Sequence, residues 1–161
     1  MSQEELELDE TDRGILQILQ HDARRFTTQE IGDRVGVSGS TVSNRVADLE
    51  EAGVIRGYTV LLDFDQAGVN PTQLLVCTAS APEREALAEE AAEMSNVVDV
   101  RTVLSGKRNV HVTVVGRDVS ELAEATEQLE AIGLTIVDSG IVNAEYHNPF
   151  DGFGTDAVES R

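Results

Sequence analysis

Six consecutive residues, Ser40-Thr41-Val42-Ser43-Asn44-Arg45, place three hydroxyls, one amide and one guanidinium on a short stretch of chain. These are groups for gripping base edges and phosphates. An asparagine can bond adenine bidentately, an arginine reaches guanine or phosphate, and hydroxyls serve either partner. Val42, Val46 and Leu49 recur at helical spacing, so a helix is predicted with these three on its buried side. Ser40, Thr41 and Asn44 then lie opposite, flanked by Ser43 and Arg45. The N-terminal part of such a helix is what reaches into the major groove of a DNA duplex. Farther along, Asp48, Glu50 and Glu51 are expected to turn away from a polyanion.

A second polar cluster, Ser105-Gly106-Lys107-Arg108-Asn109, forms a turn between two β-rich runs. Elsewhere the sequence offers little chemistry. Cys77 is the lone cysteine, which excludes an intramolecular disulfide framework or a multi-cysteine metal site; it is expected to be a small buried residue of a strand. His21, His111 and His147 have no companions at ligand spacing, so no metal is expected. Phosphate-binding glycine loops and nucleophile motifs are absent. The expectation is a binding protein without enzymatic activity or cofactor.

The elements that position these residues can be read from caps and periodicity. Asp9 followed by Asp12 opens a helix with Ile15, Ile18 and Leu19 inside. Thr27-Thr28-Gln29-Glu30 is a capping box for a short second helix, which Gly36 ends. Ser38 caps the third, which Gly53 closes. Only Gly36-Val37-Ser38 separates the last two, and so short a break forces a helix-turn-helix. Gly32 is small where those helices are expected to cross. Residues 55–64 alternate and predict a strand. Then come a strand at 73–80, a helix with Pro82 in its first turn, strands at 97–104 and 110–115, a helix from Asp118 to Gly133, and a long last strand at 134–146 with a bulge at Ser139-Gly140.

The predicted class is therefore α+β, an N-terminal helix-turn-helix followed by a ferredoxin-like βαββαβ module. The expected domains are 1–54 for DNA binding, 55–71 as strand and linker, 72–147 for dimerisation, and 148–161 as a mobile acidic tail. Two helices cover one sheet face only, so a homodimer with sheets packed face to face is expected.

The chain of 161 residues carries formal net charge -18, and Lys107 is its sole lysine. Acid spread along the whole length predicts a self-repelling, solvated surface, suited to a very salty cytoplasm. At about 1 M salt the screening length falls to about 3 Å, so repulsion from DNA is largely cancelled. Between Gln20 and Val60 five arginines face six carboxylates, so the helical segment is nearly neutral. No apolar run reaches membrane-spanning length, and the acidic start lacks a signal pattern, which predicts a cytoplasmic protein.

The runs LDETDRGILQILQHDARR and EIGDRVGVSGSTVSNRVADLEEAGVIRGYTVLLD resemble the DNA-binding domain of the Lrp/AsnC family of feast/famine transcriptional regulators. The resemblance extends through the βαββαβ region to about His147. It implies a sequence-specific regulator that binds double-stranded DNA through Ser40, Thr41, Ser43, Asn44 and Arg45. It also implies that 55–71 acts as a hinge to an effector-sensing domain at 72–147, and that dimers assemble into octamers with an amino acid or similar metabolite bound between dimers. Ser105, Gly106, Lys107, Arg108 and Asn109 match the family's effector loop, with Lys107 and Asn109 standing where acids are usual. The alternatives are a sirohaem decarboxylase-like enzyme on the same pair of domains, or a metabolite-sensing oligomer that does not bind DNA.

Overall fold

Three helices open the chain, each starting where a capping side chain stands. In α1 (Glu10–Asp22) the Asp9 carboxylate accepts from the Asp12 amide at 2.9 Å and Asp12 accepts from the Asp9 amide at 3.1 Å. In α2 (Thr28–Val35) the Thr27 hydroxyl and Glu30 carboxylate form the same reciprocal box. Ser38 caps α3 (Gly39–Glu51). Ile15, Ile18, Ile31 and Val42 form one core, with Leu19, Phe26, Val35, Val37 and Val46 packed against it. The computed structural model describes residues 7–104 and 106–153; Ser105 of the polar turn and residues 154–161 of the expected tail lie outside them.

The second half gives β1 (Thr72–Thr78), α4 (Arg84–Ala92), β2 (Val97–Thr102), β3 (Val110–Val115), α5 (Val119–Ala131) and β4 (Thr135–Ile141). The strands form one antiparallel sheet in the order β2-β3-β1-β4. Leu75, Cys77, Val110, Val112 and Val114 alternate onto the face covered by Ala88 and Ala91 of α4 and Leu122, Ala125 and Leu129 of α5. Leu74 and Val76 alternate onto the other face, where Leu74 is exposed. The architecture is thus the predicted α+β arrangement.

Five expectations need correction. Residues 55–63 are not a strand: alternation supplies β-propensity, but a strand also needs a neighbour for its backbone groups. Among the described residues it has none, and Tyr58, Val60, Leu61 and Leu62 are exposed. The last strand stops at Ile141, since its neighbour β1 begins at Thr72 and the final rung is Val142 N–H to the Thr72 carbonyl at 2.9 Å. Its irregularity lies at Val137, where pairing jumps from Val76–Asp138 to Cys77–Ile136, and not at Ser139-Gly140. Pro82 sits in the turn ahead of α4 rather than in its first turn.

The fifth correction concerns the tail, expected to be mobile from residue 148. Asp151–Phe153 forms a single 3-10 turn. The Phe150 amide donates to Gln20 Oε1 at 3.0 Å, and Gln17 Nε2 donates to Asp151 at 3.1 Å. Phe150 and Phe153 meet edge to face at 5.3 Å between ring centres, the aromatic contact that periodicity does not reveal. The chain divides into two units: residues up to Val60 together with those from Tyr146, and Leu61–Glu145.

Candidate nucleic-acid interface

The corner between α2 and α3 is made by backbone geometry. Gly36 takes φ +79°, a left-handed conformation that favours glycine. Its amide and that of Val37 both return to the Gly32 carbonyl, at 2.8 and 3.0 Å. A Cβ on Gly32 would stand 2.5 Å from the Val37 carbonyl oxygen. It would also stand 3.2 Å from the Gly39 amide at the start of α3, so Gly32 is needed both by the turn and, as expected, where the helices close; Gly39 adds to the same crossing, since a Cβ there would meet Gln29 backbone at 3.1 Å.

Ser38 then organises the front of α3. Its hydroxyl accepts from the Thr41 amide at 3.1 Å and bonds the hydroxyls of Thr41 at 2.8 Å and Ser40 at 2.9 Å. Ser40, Ser43 and Asn44 are exposed, and Thr41 is half-buried. Ser43 and Asn44 have no side-chain hydrogen-bond partner among the described residues, so their polar groups are unspent.

Among the α-helices of the described residues, α3 alone has no acidic residue in its first turn: α1 has Glu10 and Asp12, α2 Glu30, α4 Glu85 and α5 Glu121. In a chain this acidic, the positive end of the α3 dipole is left free to face an anion. At about 100° per residue Asp48 and Glu51 share the outward face with Ser40 and Asn44. They are separated from the helix front along the axis, and do not point away from it as expected; all three acids, Asp48, Glu50 and Glu51, are exposed. The Glu50 carboxylate accepts from the Tyr58 hydroxyl at 2.9 Å.

Arg45 behaves differently from its neighbours. Its Nη2 lies 2.9 Å from Asp9 Oδ2 and its Nη1 3.4 Å from Asp12 Oδ2. The guanidinium is thus spent on both members of the α1 capping box. The Asp12 amide donating to Asp9, with the Arg45 charge beside it, holds the Asp9 carboxyl below its ordinary value. In α2 the Thr27 amide and hydroxyl lower Glu30 in the same way. A cationic group that the helix pattern did not single out lies around Phe26, with Arg34 4.6 Å and Arg25 5.9 Å from its ring centre. The arginine-rich spacing was its only signal in the sequence.

In the other unit, Gly106 takes φ +85° in the β2–β3 turn. Lys107 and Arg108 are exposed, and Arg108 Nη1 faces Asp138 at 3.6 Å. Asn109 is buried. Its amide oxygen accepts from the Ala79 amide and its amide nitrogen donates to the Ala79 carbonyl, both at 2.9 Å. This residue ties the turn to the end of β1. Among the described residues no three His, Cys, Asp or Glu side chains come together as metal ligands, and no helix is long and apolar enough to cross a membrane.

Residues 8–56 match the family profile described as winged helix-turn-helix DNA-binding. An HTH-type transcriptional regulator of Pyrococcus horikoshii is 35% identical over 117 residues, 73% of each chain. The HTH-type transcriptional regulator LrpA of the same organism is 34% identical over 119 residues, 73% of this chain and 82% of that one. The crystal structure of a Neisseria meningitidis transcriptional regulator, solved as an L-Met complex, shares the fold at 24% identity. Its TM-score is 0.69, covering 89% of this chain and 94% of the other. With its helix-turn-helix, its antiparallel sheet and relatives of this kind, the chain belongs to the Lrp/AsnC family of DNA-binding transcriptional regulators.

Proposed function

We propose that the front of α3 reads operator DNA directly, with Asn44 bonding a base edge, Ser40 and Ser43 contacting bases or phosphate, and Thr41 holding the cap in register. The observation that carries this reading is the acid-free first turn of α3 beside the unspent side chains of Ser43 and Asn44. Phosphate contacts position such a helix and base contacts give it sequence preference. Arg25 and Arg34 are suited to the first task. Footprinting on the protein's own promoter at molar potassium salt tests the proposal: a protected site of two half-sites about one helical turn, or a multiple, apart is expected. A uniform ladder at every concentration refutes it.

The protein acts as a homodimer, able to assemble further, whose sheets meet on the face bearing Leu74 and Val76. It works in the cytoplasm by binding rather than by catalysis. Its DNA affinity responds to a small metabolite held near residues 105–109 between dimers. The Neisseria relative was solved with L-Met, but here the turn presents Lys107 and Arg108, and Asn109 is engaged with Ala79. Cations there favour a ligand with exposed carboxylate or phosphate over one recognised through its ammonium. Calorimetric titration with neutral amino acids and with dicarboxylates separates the two, and only heat from the former would contradict the preference. The ligand acts by binding one assembly state more tightly than another.

A further inference from the structure

We propose that Arg45, although it lies on the recognition helix, is a positioning residue that fixes the rotation of α3 against α1 by bridging Asp9 and Asp12, and does not itself touch the duplex. This rests on the reading of α3 as the DNA-contacting helix.

The geometry is that of a clamp. One guanidinium spans two carboxylates, 2.9 Å from Asp9 and 3.4 Å from Asp12. Asp12 is 3% exposed, and Arg45 is the one cation within ion-pair reach of it among the described residues. Those carboxylates are already tied to each other's amides by the capping box, so the start of α1 is a rigid anchor. Swinging Arg45 out to a phosphate would leave a buried carboxylate without its counter-charge, which is strongly unfavourable. The arginine stays where it is.

What the clamp supplies is orientation. Val42 packs α3 against Ile15, Ile18 and Ile31, and apolar contact fixes the distance between helices more firmly than the angle about an axis. Arg45 leaves α3 to the side of the Val42 stripe, where a two-point contact resists rolling. A roll of 20° would carry a side-chain tip about 2 Å around a helix of this radius. Base-edge hydrogen bonds tolerate a few tenths of an ångström. Rolling would therefore cost Asn44 and Ser40 their contacts while leaving nonspecific attraction intact.

The test uses the full-length protein with Arg45→Gln, Arg45→Lys, Asp12→Asn, Asp9→Asn and the double variant R45Q/D12N. Each is measured well below its melting temperature against the promoter site and a random duplex across a salt series. The expected result is a loss of about tenfold or more in promoter affinity, the scale of one lost base contact. Random-duplex affinity and the salt slope should stay at wild-type values. Arg45→Lys should behave like Arg45→Gln, because an ammonium cannot span both carboxylates as a fork does. The double variant should lose no more than the worse single one. Asp9→Asn, at a half-exposed position, gives the same readout if Asp12→Asn does not fold.

Three results would overturn the proposal. A salt slope reduced by about one in Arg45→Gln and restored by lysine would make Arg45 a phosphate contact. Relaxed preference at a single base pair with both aspartate variants silent would make it a base reader. Wild-type affinity in every variant would remove its role altogether. If the wild-type protein shows no preference for its promoter over random duplex, the reading of α3 fails first and this proposal falls with it.

Discussion

Asn44 is exposed on α3, and among the described residues its amide has no side-chain hydrogen-bond partner. Asn44→Ala is expected to lower operator affinity by about 1–3 kcal/mol, and the loss should fall on one base pair when single-substituted operators are compared. Uniform weakening across all duplexes would assign Asn44 to phosphate. Cys77 lies at the opposite extreme of accessibility. It is fully buried in β1, and burial, with Glu130 adding to it, pushes the thiol up to about 11. A thiolate is the reactive species, so the native protein at pH 8 should resist alkylation. Labelling should appear only along the denaturant unfolding curve, and labelling of the folded chain would mean that β1 opens locally. Residue chemistry was legible to different depths. Cys77 was readable from its place in an apolar run. Arg45 and Asn109 were not, because their partners Asp12 and Ala79 lie 33 and 30 residues away, beyond what any local pattern encodes.

Among the elements, the α2–α3 corner depends on Gly32 more than on either helix. Alanine there would gain about 1 kcal/mol of helix propensity. Against that, its Cβ would press on the Val37 carbonyl at 2.5 Å, and backbone cannot step aside as a side chain can. The clash should win, so Gly32→Ala is expected to destabilise the first unit by about 1–3 kcal/mol in thermal melts, with DNA binding lost in parallel. The cap of α1 carries a pH signature. The Asp9 carboxyl is lowered from an ordinary 3.8 by its bond from the Asp12 amide. Its contribution is therefore complete above that value and fades as the pH falls through the lowered one. Helicity should drop in this acid range, and Asp9→Asn should flatten that part of the profile. A variant as acid-sensitive as wild type would exclude Asp9 as a source. Caps and glycines were the most readable features, since each acts within four residues: Asp9, Thr27, Ser38 and Gly36 stand where the sequence put them. Residues 55–63 misled because pairing is a relation between segments. The same holds for β4, whose length is set by where β1 begins.

For the whole molecule, charge is the dominant fact. A formal net charge of -18 on 161 residues opposes the compact state by self-repulsion. Raising potassium chloride from about 0.1 to about 2 M shortens the screening length from about 10 to about 3 Å or less. The melting temperature is expected to climb over that interval, and a flat or falling curve would disconnect the acidity from adaptation to salt. The backbone departs the first unit after Val60 and rejoins it from Tyr146, where Asp151 receives the amide of the nearly buried Gln17. The first unit is accordingly built from both ends of the chain, so exchanging the gene's opening third alone would separate Gln17 from Asp151. A chimera that lacks the matching C-terminal residues would leave the Gln17 amide nitrogen with His21 Nε2, at 3.3 Å, as its one remaining partner among the described residues.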